Sequence, residues 1–136
     1  MKYKFLAHTA DMKFQAFGKS LEVAFANSAL AMFHTMYEKK IKKTKTVKVK
    51  AKGKDFEALL YNFLEELLVL FDGEGFFLSK VKRLNIDKKK FRLEAEVVGD
   101  NAENYEMDID VKAITYHDIF VKKEKGKWIC QIVLDV

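Results

Sequence analysis

The 136 residues suffice to bury a core in one domain, residues 1–136, and their 49% apolar content, with 12 phenylalanines, argues against disorder. The net charge of +5 comes almost wholly from lysine, because Arg83 and Arg92 are the only arginines. Lysine lacks the planar guanidinium fork that suits the edges of guanine bases. No apolar run approaches the roughly 20 residues that span a bilayer, and the first residues lack a signal peptide's features.

The first half of the chain alternates strand and helix patterns. Two strands are predicted at Lys2–Ala7 and Met12–Phe17, joined by His8-Thr9-Ala10-Asp11. Ser20 is a good N-cap for a helix that runs to about Tyr37. In the lysine-rich run that follows, 46–52 alternates with period two. This alternation predicts an edge strand whose solvent face is lysine.

The second half predicts one helix and several strands. Asp55 can cap a helix that ends near Asp72, where Gly73-Glu74-Gly75 stops it. The segments 76–86 and 91–99 predict a hairpin across 87–90, followed by a polar, acidic loop at 100–108. Further strands are predicted at 111–116, 119–123 and 127–134, with a turn at 124–126. These elements predict an α+β domain in which two helices pack on a largely antiparallel sheet, without fixing the order of its strands.

Unusual polar residues occur at three separated places, 8–11, 112–118 and 135–136. A small domain can bring all three to one edge. There the carboxylates of Asp11 and Asp135 and the terminal carboxylate of Val136 would form a cluster of oxygens, with Lys112, His8 and His117 beside it. Crowded carboxylates repel unless a cation or proton neutralises them, and calcium or magnesium accepts such ligands. The alternative is that Asp11 caps a turn and Asp135 is solvated, because this spacing carries no metal signature.

Catalytic interpretations find less support in the sequence. His8 and His117 lie near Asp11 and Asp118, but no serine or cysteine is recognisable as a nucleophile. Adjacent strand residues point to opposite faces, so we expect Asp118 to face away from His117. Cys130 is expected to be a buried, inert thiol, and as the single cysteine it fits a reducing, cytoplasmic environment. The sequence contains no phosphate-binding glycine loop and too few His and Cys residues for a structural zinc site.

Four segments, taken together and in order, resemble the archease family. They are His8-Thr9-Ala10-Asp11, the predicted helix from Glu57 to Leu67, Lys112-Ala-Ile-Thr-Tyr-His117, and the end Leu134-Asp135-Val136, and a tryptophan stands shortly before that end. The resemblance implies an accessory protein, not itself an enzyme, that activates an RtcB-type RNA ligase joining tRNA halves. It implies that the protein promotes guanylylation of the ligase by GTP, supports its multiple turnover and broadens the nucleotides it accepts.

The resemblance also implies a bound divalent cation, calcium, and no catalytic residue. By motif, the metal ligands would be Asp11, Asp135 and Val136, and Lys112 would be needed to activate the ligase. His8 and His117 would support this site. Val136 stands where isoleucine is commoner, and Met12-Lys13-Phe14 is also less typical. The expected partner is the ligase, with tRNA reached through it and no DNA or membrane partner. The alternative is a lysine-rich RNA-binding module that acts in tRNA processing.

Overall fold

A computed structural model describes residues 1–7 and 11–136 of the protein. This part of the chain forms seven strands, two α-helices and one short 3-10 helix, Ala102–Asn104. The strands and helices are β1 (Tyr3–Leu6), β2 (Met12–Gly18), α1 (Leu21–Met36), β3 (Lys45–Lys52), α2 (Phe56–Glu74), β4 (Phe76–Asp87), β5 (Arg92–Asn101), β6 (Ala113–Glu124) and β7 (Lys127–Asp135). Among the described residues, no helix is long and apolar enough to cross a membrane.

The strands form two antiparallel sheets, and the α+β class predicted from the sequence is confirmed. One sheet has the order β1-β2-β7-β6, and the other has the order β3-β5-β4. Each helix contacts strands of both sheets. The division into two sheets goes beyond the sequence prediction, because it depends on which distant strands pair.

Both helices begin where the sequence predicts, and the first ends one residue before its predicted end, whereas the second runs two residues beyond Asp72. The Ser20 side chain accepts a hydrogen bond from the Val23 amide, and the Asp55 carboxylate accepts one from the Ala58 amide. The second helix continues through Gly73 and ends at Glu74. Gly75 caps it with a φ of 65°, a left-handed conformation that glycine adopts without strain.

The core is built from aromatic and aliphatic side chains of both helices and both sheets. Phe14, Phe33 and Phe77 are fully buried, and the Phe33 and Phe77 rings meet edge to face with centroids 5.0 Å apart. Cys130 is buried, and this burial raises its pKa to about 12. The prediction that this thiol is buried is confirmed, and the raised pKa disfavours the reactive thiolate.

The lysine-rich segment and the acidic segment of the sequence both contribute residues to paired strands. The prediction of a lysine-bearing edge strand is confirmed, because β3 is the outer strand of its sheet. The segment 100–108 was predicted to be a loop, but Asp100 and Asn101 belong to β5. Asp100 is buried and accepts hydrogen bonds from the hydroxyls of Thr44 and Tyr105. Chiefly these bonds hold its pKa well below the usual range.

Candidate functional site

Four of the predicted site residues, Asp11, Lys112, Asp135 and Val136, converge at one end of the four-stranded sheet. Met12 of β2 pairs with Leu134 of β7, so Asp11 and Asp135 each lie one residue beyond this pair. On the other side of β7, Ala113 pairs with Asp135, and the Lys112 amide donates a hydrogen bond of 2.8 Å to the Asp135 carbonyl. Three distant parts of the chain therefore meet here. We call Asp11, Lys112, Asp135 and Val136 the rim.

The rim presents hard oxygens and one cation. Lys112 and Asp135 are exposed, whereas Asp11 is half-buried and Val136 packs partly against the core. Because Lys112 holds the main chain of Asp135, the direction of the last strand is fixed at the rim. Carboxylate and main-chain oxygens are the donors that calcium and magnesium take, so the residues present fit a hard cation.

The side chains at the rim do not by themselves complete a coordination shell. In residues 1–7 and 11–136, no group of three or more His, Cys, Asp or Glu side chains is placed to hold a metal ion. A cation bound by Asp11 and Asp135 would therefore also need main-chain oxygen, which Val136 can supply, and water. This is the ligand set that the sequence predicts. Of the two histidines expected to support it, His8 lies outside the described residues.

His117 lies on a bulge in β6, five residues after Lys112 of the rim. Between the pairs Thr115–Val133 and Phe120–Gln131, four residues of β6 stand opposite one residue of β7. Asp118 within the bulge has a φ of 56°. Its carbonyl accepts a hydrogen bond of 2.8 Å from the Gln131 side chain. The bulge is therefore held to the face of the sheet by β7.

The Asp118 carboxylate joins two basic side chains on this face. Its Oδ2 lies 3.3 Å from Nζ of Lys13 and 3.3 Å from Nε2 of His117. The expectation that Asp118 faces away from His117 is wrong, because strict alternation holds only in a regular strand and the bulge breaks it. Lys13 was not predicted as the partner of Asp118, because the two residues are 105 positions apart in the sequence.

A pair of stacked tyrosines, one of them within the bulge, was also not predicted from the sequence. Tyr116 stacks on Tyr61 of α2, with ring centroids 4.3 Å apart and an angle of 15° between the planes. Tyr116 is nevertheless 52% exposed. In the sequence, the position of Tyr116 directly before His117 was the one feature that pointed to a role for this tyrosine. The stack fixes the side of α2 that faces β6.

The model of the Archease protein family (MTH1598/TM1083) matches residues 3–136. The chain is 41% identical to protein archease of Thermococcus kodakarensis and 38% identical to that of Pyrococcus abyssi, over 99% of each chain. The chain belongs to the archease family. The predicted resemblance is confirmed over nearly the whole sequence.

Two solved structures share this fold. Protein 1598 of Methanobacterium thermoautotrophicum, solved in solution, is 31% identical and superimposes with a TM-score of 0.77 over 99% of both chains. The crystal structure of a Thermotoga maritima archease, described as a possible chaperone, has a TM-score of 0.66. It is 17% identical and covers 98% of this chain and 96% of its own, so it shows the likeness of fold alone.

Proposed function

We propose that this archease is an accessory protein that activates an RtcB-type tRNA-splicing RNA ligase in the cytoplasm. It promotes GTP-dependent guanylylation and multiple turnover of the ligase, and it contacts tRNA only through the ligase. Membership of the archease family supports the proposal. The observation that carries it is the convergence of the three strand ends at the rim.

The rim residues have separate roles in this proposal. Asp11, Asp135 and main-chain oxygen of Val136 would hold a divalent cation, calcium, which when bound neutralises the crowded carboxylates. Lys112 remains a cation beside them and is exposed, so it can meet a phosphate or a carboxylate of the ligase. Activation then comes from contacts made in one state of the ligase and not in the other, which shifts the population toward that state.

A guanylylation assay with the cognate ligase and GTP tests this function. The wild-type protein is expected to raise the amount of guanylylated ligase and the number of RNA joining cycles. Asp11→Ala, Lys112→Ala and Asp135→Ala are each expected to abolish this stimulation while leaving the fold intact, as judged by circular dichroism. Lys48→Ala and Glu94→Ala are the matched controls, because both residues are exposed and lie on the other sheet.

Two results would contradict the proposal. Full stimulation by all three rim variants would remove the rim from the mechanism. An archease that leaves the ligase unchanged but binds tRNA alone, with an affinity that falls steeply with salt, would favour the lysine-rich RNA-binding module instead. In that module, the exposed lysines of β3 would be the natural contacts, although Lys50 already lies 3.7 Å from Glu94.

A further inference from the structure

The charges of this basic protein are strongly segregated along the chain. Eleven of the 20 acidic residues lie in two segments, 55–75 and 100–110, and neither segment contains a lysine, an arginine or a histidine. The segments are adjacent in space, because the Ala102 amide donates a hydrogen bond of 2.7 Å to the Gly75 carbonyl. Six exposed carboxylates, which we call the acidic surface, are Asp72, Glu74, Glu103, Glu106, Asp108 and Asp110.

The acidic surface carries no ion pair with the described residues of the protein. In the part of the chain that the structure describes, none of the six carboxylates forms an ion pair. Burial and then the charge of Asp110 raise the pKa of Asp72, so the two carboxylates repel each other. The Asp108 amide is held by the Met36 carbonyl at 2.8 Å, which fixes this loop against the end of α1.

This arrangement works against stability. Asp72 and Glu74 occupy the last turn of α2, which contains no basic residue. The C-terminus of a helix carries partial negative charge, so carboxylates are unfavourable there and lysine or arginine is favourable. In a protein with 25 basic residues, helix stability does not explain acidic residues at this position. They indicate a role outside the folding of the chain.

Exposed apolar side chains lie beside these charges. Among the described residues, six large hydrophobic side chains are exposed, and two of them lie next to these carboxylates along the chain: Val69 (55%) and Ile109 (37%). Val69 stands one turn before Asp72 on α2, and Ile109 directly precedes Asp110. Apolar groups surrounded by charge are typical of protein interfaces.

We propose that the acidic surface, together with Val69 and Ile109, docks onto a basic protein surface, namely the RNA-binding surface of the ligase. The proposal rests on the function proposed above. RNA itself is a polyanion, which the acidic surface repels, so the occupant is a protein. An enzyme that joins RNA ends must present cations to phosphates, and such a surface is complementary to these six carboxylates. Complementary charge accelerates encounter and fixes orientation.

The docking surface is continuous with the rim. Asp110 is two residues before Lys112, whose amide binds the carbonyl of Asp135. Docking the acidic surface on the cations that receive RNA would therefore bring the rim to the place where RNA ends are joined. It also predicts that archease and RNA compete for the ligase, so that the accessory protein leaves before RNA binds.

A titration of the ligase with charge-reversed variants tests this surface. Asp72→Lys and Glu106→Lys are each expected to raise the half-saturating archease concentration about tenfold at low salt, with the maximal stimulation unchanged because the rim is intact. The matched control is Glu94→Lys, which makes the same charge change at an exposed site on the other sheet. Val69→Ala and Val23→Ala form a second matched pair, since both valines are exposed on helices.

The outcomes separate the two proposals. If the wild-type protein stimulates the ligase and both charge-reversed variants titrate like Glu94→Lys, the docking surface is refuted and the function stands. If the wild-type protein gives no stimulation, the function itself fails, and docking on the ligase fails with it. If Asp72→Lys tightens binding to tRNA alone without changing the ligase titration, the surface faces RNA and the docking proposal is overturned.

Discussion

Removing the charge of Asp72 should stabilise the protein while weakening its action on the ligase. The change is Asp72→Asn, which keeps the shape of the side chain and removes its charge. Asp72 lies in the last turn of α2, near the negative end of the helix dipole, and it faces the charge of Asp110. Both interactions are unfavourable for a carboxylate and disappear for an amide.

The size of the gain follows from these two interactions. A charge in the terminal turn of a helix is worth about 0.3–1 kcal/mol, and a like-charge neighbour adds a few tenths of a kcal/mol. Because Asp72 is exposed and screened by solvent, we take the lower part of this range, about 0.6 kcal/mol in the free energy of unfolding. With roughly 2.1 cal/mol/K of unfolding entropy per residue, the melting temperature should rise by about 2 °C.

Calorimetry over ionic strength and pH provides the assay. The gain should shrink in 1 M salt, where the screening length falls to about 3 Å. It should also shrink on acidification, because the pKa of Asp72 is raised in the folded protein and the wild type loses its penalty as the pH falls through that value. A variant that melts at or below the wild-type temperature at low salt and neutral pH would refute the reasoning.

Two further predictions concern the rest of the fold. Burial lowers the pKa of His34, which is hydrogen-bonded to Tyr3, so the folded protein favours the neutral imidazole. The resulting stability is complete above about pH 6.5, the pKa of an unfolded histidine. It is lost as the pH falls from that value toward the lower pKa of the folded state. Between pH 7.5 and 5.5, the urea midpoint of the wild type should drop more than that of His34→Gln. The control His117→Gln should behave like the wild type. An equal drop in the wild type and His34→Gln would disprove this role of His34. Two residues added after Val136 should weaken calcium binding in calorimetric titration, whereas an N-terminal tag should not. Equal affinities would exclude the carboxylate of Val136 as a ligand.

Local chemistry made most of the fold predictable. The helix boundaries depend on caps, Ser20 and Asp55 at the starts and Gly75 at one end, which act within a few residues. The hairpin of β4 and β5 was predictable for the same reason, because a short polar turn joins two alternating segments. The division of the strands into two sheets was not, since β2 pairs with β7 across more than a hundred residues and no local pattern encodes that choice.

The rim and its neighbourhood show the same limit. The meeting of Asp11, Lys112 and Asp135 was predicted from their unusual polar segments and favoured by the likeness to a family, although their spacing carries no metal signature. The contact of Lys13 and His117 with Asp118 depends on a bulge and a positive φ that strand alternation cannot show. The roles of Asp11, Asp135 and Val136 as metal ligands stay predictions, to be decided by titration.

Net charge alone points this protein toward nucleic acid, whereas the distribution of charge points toward a protein. The exposed lysines of β3 are interleaved with glutamates of β5, as in the Lys50–Glu94 pair, so the basic sheet is partly neutralised from within. Among the described residues, the acidic surface forms no ion pairs, and its last residue, Asp110, is two positions before Lys112. An excess of lysine spread over a solvated sheet mainly confers solubility, while uncompensated charge that costs stability marks a surface meant for a partner. A basic protein can therefore bind through its acidic side.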